Sequence, residues 1–307
     1  MRLKETRLFR RLFHGRRLMA EAVAELRALR QDLAGLRGAV AALEARVAAF
    51  GPPRGEAAGE AYFTALRGVG VLNYHNPMAS GENHFLRRFA AQAPGALVLD
   101  VGANTGQFVE LLRDCGGAGA VHCFEPHPAS FATLAARAAA LRCTAHALAL
   151  GASEGEMAFY DYADEAGSQH ASVYREVFEG LHQRPAASTR VRCTTLDAMA
   201  AALGLGRIGL LKIDTEGHEL AVLQGARGLL AAGAIDVILF EFNEMNVISR
   251  VFMRDFFRLL PGYRLCRLLP DGALEFQAYD PRFMEVFAYQ NIACIRRDLD
   301  PHWLLGN

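Results

Sequence analysis

A change in the spacing of apolar residues divides this 307-residue chain near Gly51-Pro52-Pro53. Before that point the apolar side chains recur in steps of three and four. Beyond it, short apolar runs alternate with longer amphipathic stretches. The first pattern has the 3.5-residue period of a left-handed coiled coil, and the second is typical of βαβ units. We therefore expect a helical segment at residues 1–50, a linker at 51–60 and one α/β domain at 61–307.

The heptad pattern in residues 19–50 predicts homo-oligomerisation. The apolar positions that form it are Met19, Ala22, Leu26, Leu29, Leu33, Leu36, Val40, Leu43, Val47 and Phe50. In a parallel arrangement the flanking charges form attractive pairs between copies, Glu25 with Arg30 and Asp32 with Arg37. The alternative is a single amphipathic helix folded back on its own domain. The pattern does not distinguish a dimer from a trimer or a higher assembly.

The first 18 residues are strongly basic, with seven basic side chains and one acid. Phe9, Leu12 and Phe13 lie between the arginines. A cationic helix with an apolar face can bind an anionic membrane surface, so we expect peripheral membrane contact through residues 1–18. The alternative is a solvated, frayed chain end.

The composition argues against several classes of protein. Lys+Arg and Asp+Glu both number 33, which argues against a nucleic-acid-binding protein. No apolar run reaches the ~18 residues of a membrane span, and charges interrupt the stretch where a secretory signal would lie. The six cysteines include no C-x-x-C pair, which is typical of reduced thiols. We expect a cytoplasmic protein, at the inner face of the membrane if residues 1–18 bind lipid.

From residue 61 onward, alternating strands and helices predict a mainly parallel, doubly wound sheet. The predicted strands are 96–101, 120–125, 144–150, 157–162, 190–196, 209–214, 236–242 and 286–295. The predicted helices lie near 81–92, 106–115, 129–140, 195–203, 217–231 and 248–260.

In such a sheet, ligands bind beyond the carboxyl ends of the strands. The first predicted strand ends at Asp100 and continues into a G-x-x-x-G turn that contains Gly102 and Gly106. Glycines in this turn let the backbone approach a ligand closely. The dinucleotide pattern G-x-G-x-x-G is absent, which argues against the alternative of a nicotinamide oxidoreductase. An acid at the strand end favours a ligand with a cationic group.

The next two strands predict a nucleoside site. Glu125 ends the second strand, 23 residues beyond Gly102, where an acid can accept hydrogen bonds from both ribose hydroxyls. Ala149 and Leu150 follow the third strand and suit the face of an adenine ring.

Ionisable residues are concentrated at the ends of the strands predicted at 209–214 and 236–242. Lys212, Asp214, Glu216 and His218 alternate through one strand end, and Glu241 ends the next strand. The chain has only two lysines against 31 arginines, so position 212 requires a compact ammonium group or has kept a lysine by chance.

Together these residues resemble the FkbM family of S-adenosylmethionine-dependent methyltransferases. The matching segments include LVLDVGANTGQF, VHCFEPHP, LALGASEGE, TTLDAM, IGLLKIDTEGHELAVLQGA and ILFEFNEMN. NYHNPMASGENHF, GSQHASVY and LCRLLPDG extend the likeness toward the branch associated with bacterial polysaccharide and glycan modification. The heptads are not part of the usual family pattern.

The resemblance implies a Rossmann-like class I methyltransferase fold, with a seven-stranded sheet and helices on both faces, and S-adenosylmethionine as the methyl donor. The residues it assigns to donor binding are Asp100, Gly102, Asn104, Gly106, Gln107, Glu125, Pro126, Ala149, Leu150 and Asp214. Within this set, Glu125 would hold the ribose, and Asp214 would face the sulfonium and the acceptor.

For the catalytic base, His218 is the first candidate, because the usual pKa of a histidine lies nearest neutrality. Asp214 and Glu241 are alternatives, and they could instead hold a divalent cation, which we do not expect. Candidate acceptor-binding residues are Tyr74, Glu82, His170, Tyr174 and Asn243.

The predicted activity is methyl transfer to a hydroxyl of a sugar in a glycan, polysaccharide or lipid-linked saccharide. One alternative is O-methylation of a small secondary metabolite or a lipid. Another is a non-catalytic coiled-coil scaffold in a glycan-assembly complex.

Overall fold

The computed structural model describes residues 2–49, 55–162, 172–181 and 183–305, without the side chains of residues 2–17 and 45–49. The chain divides into two compact units, Met1–Tyr62 and Phe63–Asn307. None of the described helices is both long enough and apolar enough to cross a membrane.

The first unit contains one uninterrupted helix, α1 (Arg2–Ala49). Its heptad side chains in the described part are exposed to solvent, including Leu26 (60%), Leu33 (56%) and Val40 (51%). The next helix, α2 (Glu56–Gly68), begins inside the segment expected to be a linker. Alanine and glutamate dominate residues 56–61, and both favour helix, while Glu56 in the first turn suits the helix dipole.

The remaining described elements alternate as the sequence predicts. The strands are β1 (Val98–Val101), β2 (Val121–Phe124), β3 (Thr144–His146), β4 (Ala149–Leu150), β5 (Gly155–Tyr162), β6 (Ala186–Thr194), β7 (Ile208–Ile213), β8 (Ile235–Phe242), β9 (Tyr263–Leu269), β10 (Gly272–Glu275) and β11 (Gln290–Arg296). The helices are α3 (Glu82–Gln92), α4 (Gln107–Asp114), α5 (Pro128–Leu141), α6 (Leu196–Leu203), α7 (Glu219–Gln224), α8 (Arg227–Ala231), α9 (Met245–Ser249), α10 (Met253–Leu259), α11 (Pro281–Met284) and α12 (His302–Leu305), with a π-helical turn at Val177–Leu181.

Eight of the described strands form one sheet in the order β10-β9-β11-β8-β7-β1-β2-β3. The five strands from β8 to β3 run parallel, and β11, β9 and β10 are antiparallel to their neighbours. Val101 pairs with both Ile213 and Phe124, so β1, β2 and β7 end at the same edge. Gln290 pairs with Phe242, which brings the start of β11 to that edge as well.

Apolar side chains cover both faces of the sheet, as a buried parallel sheet requires. Leu99, Val101, Leu211 and Ile213 point into one core with helices α7 and α10. Val98 and Leu210 and their neighbours point into the other core with helices α3, α4 and α5. The alternation follows the two-residue period of a strand, and it confirms the predicted α/β fold with helices on both faces.

The sheet has one strand more than the seven expected, because β10 adds an edge hairpin to β9. The sequence analysis predicted neither strand: Arg264 and Arg267 interrupt the apolar pattern of β9, and β10 has only four residues. Arg267 is nevertheless fully buried: it donates to Gln290 Oε1 at 2.7 Å, and its guanidinium lies 4.9 Å from the Phe283 ring centre.

Three further expectations about element boundaries were wrong. β4, β6 and β5 form a separate three-stranded sheet instead of joining the main one. The predicted helix 217–231 is divided into α7 and α8 at Ala226, whose φ of −111° and ψ of 15° depart from helical geometry. The predicted helix 248–260 is likewise two helices, α9 and α10, separated at Arg250, whose φ is +56°.

Two histidines at the edge of the sheet form a pair that should respond to pH. Nδ1 of His122 lies 3.0 Å from Nε2 of His146, and the rings stack. Burial lowers the pKa of both histidines, and His122 lowers that of His146 further. The folded protein therefore disfavours protonation of the pair.

We expect this pair to stabilise the fold above about pH 6.5, the pKa of a histidine in an unfolded chain. Below that pH the unfolded state binds protons that the folded state resists, so the contribution is lost as the pH falls. Urea unfolding of His146→Gln should show a weaker loss of stability between pH 7 and 5 than the wild type. His84→Gln on α3 is the control and should keep the wild-type slope, whereas a wild-type slope in His146→Gln would contradict the prediction.

Candidate active site

A cavity of about 820 Å³ opens at the edge where β1, β2, β7 and β8 end. Its walls come from the turns after these strands, from residues 74–77 and Glu82, and from Phe159 and Val173 beside the smaller sheet. One end is largely apolar and the other carries most of the charge.

The turn after β1 forms the floor of the cavity. Gly102 has φ +81°, and a Cβ on it would overlap the carbonyl oxygen of Asp214. Gly106 has φ +91° and precedes α4, and a Cβ there would lie 2.6 Å from the Leu141 side chain. Both positions therefore require glycine, and they keep the backbone close to any molecule in the cavity.

Glu125 connects the turn after β1 to the turn after β2 through hydrogen bonds. Its Oε2 accepts a hydrogen bond from the Asn104 amide at 2.8 Å, and its Oε1 accepts one from the His127 amide at 2.7 Å. Burial raises the pKa of Glu125 to about 7, although the two amide hydrogen bonds lower it. Each oxygen keeps a lone pair, so the carboxylate can accept two hydroxyl groups of a ligand.

Beside Glu125 the cavity has a narrow apolar wall. It is lined by Phe124, Pro126, Leu148, Ala149, Leu150 and Phe159. Such a wall suits a flat aromatic ring more than a sugar or a phosphate.

A lysine bridges the acids at the charged end. Lys212 Nζ lies 2.8 Å from Asp214 Oδ2 and 3.9 Å from Asp100 Oδ1. Asp100 is fully buried, and neither of its oxygens accepts a hydrogen bond from the described residues. Burial raises the pKa of Asp100 to about 6. The end of β1 therefore holds a carboxyl group with unused hydrogen-bonding capacity.

Two further acids, Glu82 and Glu241, line the cavity together with Lys212. Glu241 Oε1 accepts a hydrogen bond from Asn243 Nδ2 at 2.5 Å. Burial, together with the charges of Asp214 and Glu216, raises the pKa of Glu241 well above its ordinary value. Burial also raises the pKa of Glu82. Carboxyl groups of this kind hold a proton more readily than ordinary ones and can receive one near neutral pH.

His218 lines the cavity between two loops. Its Nδ1 lies 3.5 Å from the Tyr174 hydroxyl, and its Nε2 would lie 3.0 Å from a Cβ on Gly151. Burial lowers the pKa of His218 to about 4, so the ring is neutral at physiological pH.

Comparison with known proteins identifies the domain. Residues 100–265 match the family model described as "Methyltransferase FkbM domain". The chain is 32% identical over 174 residues to "31-O-demethyl-FK506 methyltransferase FkbM" of Streptomyces tacrolimicus, a match that covers 46% of this chain and 63% of that protein.

Among solved structures, the O-methyltransferase of Bacillus cereus in complex with SAH is 12% identical, covering 83% of this chain and 97% of that one, with a TM-score of 0.37. WbdD is also 12% identical, covering 74% of this chain and 44% of that one, with a TM-score of 0.38. The family match spans more than half of the chain. The chain belongs to the FkbM methyltransferase family.

Domains of this family use S-adenosylmethionine, and the cavity fits that donor. Its apolar wall suits the adenine, and Glu125 can accept the ribose hydroxyls. The glycine turn lets the backbone approach the methionine end closely, and the Asp100 carboxyl beneath it adds negative charge that suits the ammonium and sulfonium groups. Within the described residues, no group of three or more His, Cys, Asp or Glu side chains could hold a metal ion.

The FkbM fold brings most of the residues predicted from the sequence to one cavity. Those that line it are Tyr74, Glu82, Gly102, Asn104, Gln107, Glu125, Pro126, Ala149, Leu150, Asp214, His218, Glu241 and Asn243. Asp100 lies behind Lys212, Gly106 underlies the turn, and Tyr174 approaches His218. His170 lies outside the described residues.

Sequence reasoning missed two residues at this site. Tyr289 lines the cavity from the segment before β11, and only the antiparallel pairing of that strand could have indicated it. Glu219, in the first turn of α7, is buried, and its Oε1 accepts hydrogen bonds from the amides of Thr215 and Gly217. It thereby holds the turn that carries Glu216, whose φ is +52°.

Glu125→Gln should weaken S-adenosylmethionine binding roughly 10- to 100-fold, because a charge-assisted hydrogen bond contributes ~1.5–3 kcal/mol. The wild-type affinity should also fall as the pH drops through 7, since protonation removes an acceptor from Glu125, and the variant should lose this dependence. Calorimetric titration from pH 6 to 8 measures both effects. Glu156→Gln, on an exposed part of β5, is the control; wild-type affinity in Glu125→Gln would contradict the assignment.

Proposed function

We propose that this protein transfers the methyl group of S-adenosylmethionine to a hydroxyl of a sugar in a glycan, polysaccharide or lipid-linked saccharide. The observation that carries the proposal is the charged end of the cavity, where several carboxyl groups lie beside aromatic side chains. A sugar presents many hydroxyl donors on a ring with flat apolar faces, and this lining matches both properties. S-adenosylmethionine supplies an electrophilic methyl carbon bonded to a sulfonium.

In the proposed reaction, the acceptor oxygen forms a bond to the methyl carbon as the carbon–sulfur bond breaks, and the electron pair remains on sulfur. The hydroxyl proton passes to a base in the cavity. Most of the rate should come from holding the two reactants in line, which can contribute up to ~7–11 kcal/mol.

Glu241 is our candidate for that base. Its carboxyl group lies in the cavity and Asn243 orients it. Burial and the charges of Asp214 and Glu216 raise its pKa, which makes its carboxylate a stronger base than an ordinary one. His218 is the weaker candidate, because burial lowers its pKa to about 4 and Nε2 lies close to Gly151. Asp214 is already paired with Lys212.

A second candidate function is O-methylation of a small secondary metabolite. The observation that favours it is the relative from Streptomyces tacrolimicus, whose name describes a methyltransferase of 31-O-demethyl-FK506. This chain spans 63% of that protein's length, so the acceptor is not transferred with the family.

A methyl-transfer assay tests the function. The full chain with methyl-labelled S-adenosylmethionine is offered neutral oligosaccharides, nucleotide sugars, lipid-linked glycans and a hydroxylated macrolide. We expect label in a saccharide, at a rate that rises with pH as Glu241 loses its proton. Glu241→Gln should lower kcat by ~10²–10⁴-fold and leave donor affinity unchanged, whereas His218→Asn should have the smaller effect.

Two outcomes would contradict this proposal. Transfer to the macrolide alone would favour the secondary-metabolite function. Donor binding without transfer to any acceptor class would favour the non-catalytic scaffold.

We further propose that α1 joins copies of the chain through a parallel coiled coil. The exposed apolar seam of Leu26, Leu33 and Val40 supports this. Glu25 and Asp32 would also make attractive pairs with Arg30 and Arg37 of a second copy. Peripheral contact of residues 1–18 with a membrane, and a cytoplasmic location, likewise remain proposals that rest on the basic sequence.

Replacing the seam residues Leu26, Leu33 and Val40 with glutamate should lower the mass measured by light scattering, because charges cannot be buried between helices. Donor affinity should not change. The control replaces Ala34 and Ala41, on the outer face of the same heptads, with glutamate. An identical mass for the seam variant and the wild type would contradict the coiled coil.

A further inference from the structure

Tyr289 lines the cavity from the segment before the antiparallel strand β11, whereas the other strand-end residues follow parallel strands. It precedes β11, whose first residues pair with the end of β8, Gln290 with Phe242 and Asn291 with Glu241. The antiparallel direction of β11 therefore places its beginning, and Tyr289, at the edge where the parallel strands end. Tyr289 lines the same cavity as Glu82, Asp214 and Glu241.

The hydroxyl group of Tyr289 is positioned to donate a hydrogen bond. Asn291 Nδ2 donates to Tyr289 Oη at 3.1 Å, so the oxygen already accepts and its own hydrogen remains for another partner. Burial, together with the charges of Glu82 and Glu241, raises the pKa of Tyr289, which keeps the hydroxyl protonated at any physiological pH.

Two other donors at this end, Lys212 and Asn243, are already engaged with carboxylates. Lys212 pairs with Asp214 and approaches Asp100. Asn243 Nδ2 donates to Glu241 and lies 3.3 Å from Glu216 Oε2. An incoming molecule therefore meets many acceptors and, in Tyr289, an available donor. Hydroxyl groups satisfy both kinds of partner, whereas an anionic group would face several carboxyl groups.

Tyr289 is held in place by its neighbours along the chain. Its carbonyl accepts from the Leu72 amide at 2.8 Å, and the adjacent Gln290 accepts from the buried Arg267. The Tyr74 ring packs edge-on against the Tyr289 ring, with centres 6.1 Å apart. The two rings form an aromatic wall beside the hydroxyl, on which the apolar face of a sugar can lie.

We propose that Tyr289 is an acceptor-binding residue that donates a hydrogen bond to the acceptor, and that it and the facing carboxyl groups select a neutral polyhydroxyl ring over one bearing a carboxylate or phosphate next to the reacting hydroxyl. This inference rests on the proposed function and names its substrate class. Among the acids that line the cavity, Glu82 has the largest charge effect on Tyr289, so we expect it to oppose an anion bound beside that residue.

The test is calorimetric titration of the full chain saturated with S-adenosylhomocysteine. The neutral probes are the methyl glycosides of glucose, galactose and mannose. The charged probes, called uronides below, are the methyl glycosides of the corresponding uronic acids, with the carboxylate free. We expect a neutral hexoside to bind, and its uronide to bind at least 10-fold more weakly. Tyr289→Phe should weaken hexoside binding roughly 3- to 10-fold, the range for one uncharged hydrogen bond.

Two further variants test whether the effect on binding belongs to the Tyr289 hydroxyl and to the charge of Glu82. Tyr279→Phe removes the same atom from a tyrosine whose hydroxyl hydrogen-bonds Glu285 away from the cavity, and hexoside binding should not change. Glu82→Gln should narrow the difference in affinity between hexoside and uronide, because the amide carries no charge that could repel the uronide carboxylate. Unchanged affinity for S-adenosylhomocysteine shows that each variant is folded.

Three results would overturn the inference while leaving the methyltransferase function intact. These are wild-type hexoside affinity in Tyr289→Phe, equal binding of hexoside and uronide, and binding of S-adenosylhomocysteine without binding of any hexoside. Failure of S-adenosylhomocysteine itself to bind would overturn both the proposed function and the inference.

Discussion

The active edge of the sheet depends on how closely the turn after β1 approaches the end of β7. Gly102, with φ +81°, lies so near the carbonyl of Asp214 that a side chain would overlap it. Because the two strand ends meet there, Asp100, Lys212 and Asp214 form one charge cluster at the floor of the cavity. A residue with a Cβ would force the turn away from β7, and the donor cradle and the charge cluster would separate together.

This cluster and the nearby Glu125 place buried carboxyl groups at the floor and side of the cavity. Burial raises the pKa of Asp100 to about 6 and that of Glu125 to about 7, so both carboxylates oppose folding in their charged form. Lys212 offsets part of this penalty, since its compact ammonium reaches two acids in a space where the planar fork of arginine would need more room. A sulfonium donor carries positive charge, which would complement the acids of this cluster.

The sequence predicted those parts of the site whose positions follow from the spacing of residues along one or two neighbouring strands. Glu125 follows a strand at a fixed distance from Gly102, and both turns meet because parallel strands end together. The sequence could not reveal β9, because a buried arginine such as Arg267 reads as a surface residue until its partners across the sheet are known. The role of His218 was equally hidden, since its position beside Gly151 and the resulting loss of basicity depend on a non-local contact.

The two ends of the cavity therefore differ in which parts of the chain supply their residues. The donor half is built from turns that follow successive parallel strands, and these lie within the matched residues 100–265. Tyr74, Glu82 and Tyr289 lie outside that range, and they meet only because the antiparallel β11 returns to the catalytic edge. Membership of the family consequently specifies the methyl donor and the reaction. In our proposal the acceptor also contacts the flanking residues Tyr74, Glu82 and Tyr289, and this is why the substrate must be argued from the side chains of this chain.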